Sequence, residues 1–185
     1  YSTATNLATR DSSTATDVFV HDRQTGTTTL VSTASDGTPA TAGTSLGPAL
    51  SEDGRYVAFE SSAPNMLGIG VDTNDSTDVF VRDRAEITMV RASQGLHGGE
   101  GDGGSDQPSW NQDGTKMLYR TAATNLDWTE DDGAARDVML YNPLIGTNDN
   151  ITRSETAVTT RASVASDGTQ GNGDSYEPSM SADGR

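Results

Sequence analysis

The chain has 185 residues, enough for one domain, and its 27 acidic against 12 basic residues leave a formal charge of −15. That balance disfavours nucleic acid and anionic membrane surfaces as partners and favours cations or basic proteins. The lack of Cys excludes disulfides and thiolate metal sites, and no stretch reaches the roughly 18 apolar residues of a spanning helix. Gly, Ser, Thr, Asp and Asn are abundant and long helical periods are absent, a pattern that predicts an all-β protein rich in turns.

Taken in order, the predicted strands recur in phase. Asp17-Val18-Phe19-Val20 is too short and too β-branched for a helix, and after the turn Gln24-Thr25-Gly26 a Thr-rich strand runs from Thr27 to Ser32. Ala49 to Ser51, after Pro48, is reversed by Asp53-Gly54 into Tyr56-Val57-Ala58-Phe59, because Gly takes positive φ without steric cost. Asp78-Val79-Phe80-Val81 and Ile87 to Val90 follow, with Arg84-Ala85-Glu86 replacing the Thr-Gly turn. The third copy places Lys116 to Tyr119 after Asp113-Gly114, then Asp137 to Leu140, then Thr159 to Ser163, with an extra stretch near 142–158. Pro48, Pro108 and Pro178 stand at intervals of 60 and 70 residues, each preceded by Ser45, Ser105 or Ser175 and followed by an Asp-Gly pair, the last at Asp183-Gly184. A further landmark is Asn6-Leu7, Asn65 with Leu67, and Asn125-Leu126.

Four antiparallel strands per unit, the third apolar on both faces and the fourth polar enough for an outer edge, describe a propeller blade. The repeats fall at approximately 1–59, 60–119 and 120–185, and in strand letters the chain reads BCD, ABCD, ABCD, A. The fold class is therefore all-β, with about three blades, partial or completed by another segment or subunit. The chain starts at Tyr1 and stops at Arg185 in mid-repeat, as expected of an excised or processed piece.

The units SxxPxxSxDGRxVAFxSxAxNL and DVFVxDxxTGTTTxVS resemble the TolB-like, WD40-like β-propeller repeats of bacterial envelope and secreted proteins. The resemblance covers essentially the whole chain. It implies blades and a periplasmic or extracellular location, and no particular activity.

The strongest candidate for chemistry is the loop entering each third strand. An Asp stands six residues before the strand Asp in every copy: Asp11 before Asp17, Asp72 before Asp78, Asp131 before Asp137. Ser13, Asn74 or Gly133 lies between, and Asp75, Glu130 and Asp132 add carboxylates. Closely spaced carboxylates and carbonyls can supply several of the six to eight oxygens calcium takes, so Asp72, Asn74, Asp75 and Asp78 form the richest calcium candidate. Asx turns account for the same residues without an ion. Asp106, Gln107, Tyr176 and Glu177, just before the prolines, are expected to face the central channel as a ligand surface.

Other signals carry less. Gly43-Thr44-Ser45-Leu46-Gly47 matches a nucleophile elbow, but Ser45 is the repeat's ordinary serine and no helix is predicted after it. His21 occupies the slot of Arg82, and His97 lies in a Gly-rich connection from Gly95 to Gly104 read as flexible. Trp110 is expected to pack and Trp128 to be exposed, and Asn150-Ile151-Thr152 is a glycosylation sequon. The chain thus reads as a non-catalytic module binding protein or carbohydrate, with calcium as a stabilising ion. One alternative is a structural subunit whose copies self-associate through incomplete terminal blades. Another is the propeller of a larger serine peptidase, its catalytic residues elsewhere.

Overall fold

The computed structural model describes residues 1–11, 14–68, 70–95, 98–127, 133, 135–143 and 158–185. Ser13, His97, Trp128, Glu130, Asp131, Asp132 and the 150–152 sequon lie outside the described residues. Strands β1 (Phe19–Asp22) and β2 (Thr27–Leu30) pair antiparallel. The second sheet orders β3 (Ser45–Leu50), β4 (Tyr56–Ser61), β5 (Asp78–Asp83) and β6 (Thr88–Arg91) side by side. The third does the same with β7 (Ser105–Trp110), β8 (Met117–Thr121), β9 (Asp137–Asn142) and β10 (Val158–Arg161). All ladders are antiparallel, and the three sheets form a partial β-propeller of four-stranded blades.

The expected phase is visible at both ends. Ser2 bridges Asp17 as Ser61 pairs with Asp78 and Thr121 with Asp137, so the opening residues hold the end of a second strand. At the other end Ser175 N–H donates to the Arg136 carbonyl at 2.8 Å, repeating the bonds of Ser45 and Ser105, and residues 174–180 pair in no ladder.

Local chemistry explains the hairpins. The amides of Gly54, Gly114 and Gly184 return to the carbonyls of Ser51, Asn111 and Ser181 at 2.9, 3.3 and 3.0 Å. In each turn the Asp carboxylate receives the side chain that opens it: Ser51 Oγ at 2.6 Å, Asn111 Nδ2 at 2.7 Å and Ser181 Oγ at 2.8 Å. The innermost strand of each complete blade bulges before its proline, where Gly47 and Gln107 take φ of 55° and 54°, and Glu177 repeats the conformation at φ 49°.

The strand pleat assigns the cores. Alternation in β4 and β5 sends Tyr56, Ala58, Val79 and Val81 toward the third sheet, where they meet Trp110, Met117, Tyr119 and Met139. Val57, Phe59 and Phe80 point the other way, onto Val18, Val31, Ala40, Ala63 and Met66. Trp110 packs 6.2 Å from Tyr56, as expected of a core residue.

Three expectations change. The fourth strand is half-exposed in β2, but in β6 Met89, Val90 and Arg91 are buried, because Met89 joins one core, Val90 the other and Arg91 an ion-pair cluster. After the landmark asparagine the buried apolar residue is Met66, in phase with Leu126, whereas Leu67 packs only partly. The described part of the Gly-rich connection, residues 98–104, is tied down: Asn125 receives the Asp102 amide and donates to the Glu100 carbonyl, as Asn65 does with Thr41 and Pro39. A Cβ on Gly103 would lie 2.6 Å from the Ala122 carbonyl oxygen, and one on Gly43 2.7 Å from the Ser62 backbone, while one on Gly173 meets nothing.

That contrast is directly testable. Gly103→Ala should cost about 1–3 kcal/mol through overpacking against rigid backbone, whereas Gly173→Ala should stay within about 0.5 kcal/mol. Urea unfolding of both variants checks it, and equal midpoints would show that the connection yields.

Candidate functional site

Each third strand begins with a buried Asp, held by a serine from the end of the fourth strand. Ser32 Oγ donates to Asp17 Oδ1 at 2.7 Å, Ser93 Oγ to Asp78 Oδ1 at 2.7 Å and Ser163 Oγ to Asp137 Oδ1 at 2.6 Å. The same hydroxyls accept the amides of Val18, Val79 and Val138, each at 3.1 Å. A buried carboxylate oxygen and a buried amide are thus satisfied together by one hydroxyl.

The second carboxylate oxygen differs between blades. Arg91 Nε approaches Asp78 Oδ2 at 3.0 Å, and its Nη1 approaches Glu100 Oε1 at 2.7 Å. Among the described residues, Asp72, Asp78 and Glu100 are the carboxylates that converge, their oxygens within 4.8 Å of one another. In the third blade Asp137 Oδ2 receives Gln170 Nε2 at 2.9 Å and lies 3.3 Å from Arg161 Nε, with Asp127 also in reach at 3.8 Å from Arg161 Nη2. In the first blade Leu30 stands where Arg91 and Arg161 stand, and Asp11 adds repulsion to Asp17.

The sequence-predicted loop is therefore only partly assembled at one point. Asp72 and Asp78 meet, but Asn74 spends its amide on the Gly101 carbonyl at 2.6 Å and its oxygen on the Ser76 amide at 2.7 Å. Asp75 is exposed, at φ 52°, and gives its amide to the Asp72 carboxylate. Glu100, unremarked in the sequence, clamps the loop by accepting the Thr73 amide at 2.8 Å. Arg91 and Arg161 are missed too, although both stand in the repeated run Arg-Ala-Ser that ends at the latch serine.

Three carboxylates against one guanidinium leave the second-blade cluster negative. Burial pushes Asp78 up to about 6, with Ser93 and Arg91 opposing and Glu100 and Asp72 adding repulsion. The Arg91 Nε contact is an ion pair whose angle misses hydrogen-bond alignment, which is why burial prevails there. Burial and then Glu100 raise Asp72, one of whose oxygens is buried without a hydrogen bond. Burial also acts on Glu100, but the Thr73 hydroxyl and amide and Arg91 outweigh it and hold Glu100 below the usual range.

Of the four residues expected on the inner face, Asp106 and Gln107 lie in β7, and Tyr176 and Glu177 lie in the segment after Ser175. Asp106 takes a bidentate pair from Arg120 at 2.7 Å on both oxygens and a second guanidinium, Arg136, at 3.3 Å. Arg120 lies over the Tyr176 ring, 5.5 Å from its centroid, and Tyr176 is 61% exposed. Its hydroxyl donates to Asp174 at 2.8 Å, which raises the phenol, while the Arg136 amide and then this phenol hold Asp174 low. The Gln107 amide donates to Glu60 and the Glu177 amide to Gln107 Oε1, each at 3.0 Å, so neighbouring blades are laced through their bulges. Ser45 Oγ, by contrast, is buried against Ser61 Oγ at 3.0 Å, as Ser105 is against Thr121.

No protein-family model and no curated protein matches this sequence. Among solved structures, TolB from Acinetobacter baumannii aligns with a TM-score of 0.45 at 15% identity, over 91% of this chain and 30% of its own. A TolB from Agrobacterium tumefaciens aligns with a TM-score of 0.44 at 15% identity, over 78% of this chain and 40% of its own. The chain spans less than half the length of either. These partial likenesses name no family for it, and its blade architecture rests on its own ladders.

The raised carboxylates set a pH dependence. Asp78, at about 6 folded and about 3.9 unfolded, binds more protons in the folded state between those values, so stability falls as pH rises from about 4 to about 6. Asp72 and Asp17 act in the same sense, whereas lowered Asp53 and Asp113 act only below about pH 4. The melting midpoint should therefore drop from pH 4.5 to pH 7 and drop less in Asp72→Asn, which removes one repelling charge. Equal slopes for the two proteins would contradict this account.

Proposed function

We propose that the chain is a non-catalytic β-propeller module of a secreted or cell-envelope protein, binding a protein or carbohydrate ligand on its inner-strand face. The observation that carries this reading is Tyr176: an exposed ring whose hydroxyl is oriented by Asp174 and whose face is backed by Arg120, itself locked to Asp106. Such a ring offers a flat apolar surface with low ordering cost, and Glu60, Asp106, Asp174 and Glu177 beside it supply acceptors for sugar hydroxyls or a basic side chain. The buried Ser45 and Ser105 hydroxyls support a binding role over acyl transfer.

Calcium belongs to the same proposal in altered form. Asp72, Asp78 and Glu100 offer three carboxylates of the roughly six to eight oxygens calcium takes, but the Arg91 guanidinium sits among them and must swing out for an ion to enter. As the cluster stands it does not fit calcium, and the arginine supplies the positive charge.

A second reading has a specific support. Residues 174–180 pair in no ladder, and β1 has β2 as its only strand partner apart from the Ser2–Asp17 bridge among the described residues. Exposed strand edges recruit further strands, so a longer parent chain or a second copy would complete these blades. Sedimentation equilibrium of the 185-residue chain decides between them, since a stable monomer at high concentration would remove copy-to-copy completion.

Two measurements test the binding reading. Titration of a panel of cell-wall oligosaccharides and of a lysine-rich peptide should yield a ligand whose affinity falls by at least about tenfold in Tyr176→Ala, the loss typical of an aromatic anchor. Unchanged affinity would move the site elsewhere. Melting with calcium and with chelator should leave the wild-type midpoint unchanged while Arg91 stays in place, and a rise with calcium would show that the ion displaces it.

A further inference from the structure

Between the first two blades lies a pocket of about 370 Å³, lined by Ala8, Thr9, Arg10, Thr28, Thr29, Leu30, Thr33, Gly37, Arg82 and Ile87. Its base is Arg82, only 7% exposed. Strand alternation puts this side chain on the same face of β5 as Phe80, toward the first blade, and its Nη1 donates to the carbonyls of Thr33 and Ala34 at 3.1 and 3.2 Å.

The charge of Arg82 is handled unlike that of the other deeply placed arginines. Arg91 faces Asp78 and Glu100, and Arg161 faces Asp137 and Asp127. The contacts of Arg82 run to backbone carbonyls, and the nearest carboxylate by sequence, Asp83, points to the other side of the strand and is taken bidentately by Arg55 at 2.8 to 3.2 Å. Burial outweighs the attraction of Asp83 at Arg82, and an anion that pairs directly with a buried cation recovers part of such a cost.

Two further features converge on the same opening. Arg10, exposed and leaning on the Gly37 carbonyl at 3.5 Å, brings a second guanidinium to the lining. Ile87, 58% exposed at the rim, holds φ 58° where the first blade has Gly26 at 71°. A β-branched residue in the left-handed region is strained, and here the strained backbone keeps an apolar side chain at the pocket mouth.

We propose that this pocket binds a small oxyanion, a carboxylate or phosphate group, between Arg82 and Arg10 with the hydroxyl of Thr29 beside it. Guanidinium is the group best suited to such anions, through paired N–H donors. The formal charge of −15 opposes anions at long range, but beyond about 8 Å it is screened at physiological salt. This site is independent of the Tyr176 face.

The test is titration of the whole chain with inorganic phosphate, and separately with malonate, at constant ionic strength balanced by chloride, followed by calorimetry and by the melting midpoint. Saturable binding of either probe, with a raised midpoint, is expected in the wild type, and the tighter probe identifies the natural group. Arg10→Ala, an exposed change, should weaken that binding about tenfold, and Arg82→Lys should abolish saturation. Absence of saturable binding of both probes overturns the proposal. So does an equal midpoint shift in wild type and Arg10→Ala, the signature of a general salting effect.

Discussion

The hydroxyl that joins the start of each third strand to the end of the fourth is the contact on which the blades depend. Asp17 with Ser32, Asp78 with Ser93 and Asp137 with Ser163 repeat one geometry, and in each the serine also receives the amide that follows the aspartate. Two β-strands could pair without this contact, but the aspartates are buried at 3%, 1% and 1% exposure, and an unsatisfied carboxylate there would be costly. The latch therefore selects the register of the outer hairpin as well as holding it.

The latch satisfies one carboxylate oxygen and leaves the other to tertiary context, and there the blades diverge. The second blade brings Arg91, and with it Glu100 and Asp72. The third brings Arg161 and the neutral Gln170, which stands in phase with Glu100. The first has Leu30 and Pro39 at those positions and no guanidinium in the latch. One repeat has thus acquired three electrostatic characters, and among the described residues the second copy brings three carboxylates to one guanidinium where the third brings two. Ion pairs of this kind bring specificity of arrangement more than net stability, because desolvation offsets most of the attraction.

Stacking governs the rest. Because β4 and β5 alternate their side chains between two apolar cores, polar residues on them find partners either in their own blade, as Asp78, Asp83 and Ser61 do, or in the neighbouring one. Arg82 finds carbonyls, Glu60 finds the Gln107 amide, and Gln107 in turn takes the Glu177 amide. At positive φ, Gln107 and Glu177 turn their amides toward the preceding blade, onto Glu60 and Gln107. The candidate binding face around Tyr176 exists because of that lacing.

What the amino-acid sequence determined by itself is the repeat, its phase, the Asp-Gly reversals and the doubly apolar third strands. These depend on backbone preferences and side-chain period acting within a few residues, as Gly54, Gly114 and Gly184 show at φ 71°, 70° and 71°. It also marked Asp72 and Asp78, and placed Asp106 and Tyr176 on the inner strands. Only the tertiary structure decided that Arg91 and Glu100 join the two aspartates, that Asn74 and Asp75 face elsewhere, and that Arg82 lies between blades on the Thr33 and Ala34 carbonyls. Charge pairing depends on strand register and on which face of one sheet meets the next, and those are settled by contacts between residues far apart in the chain.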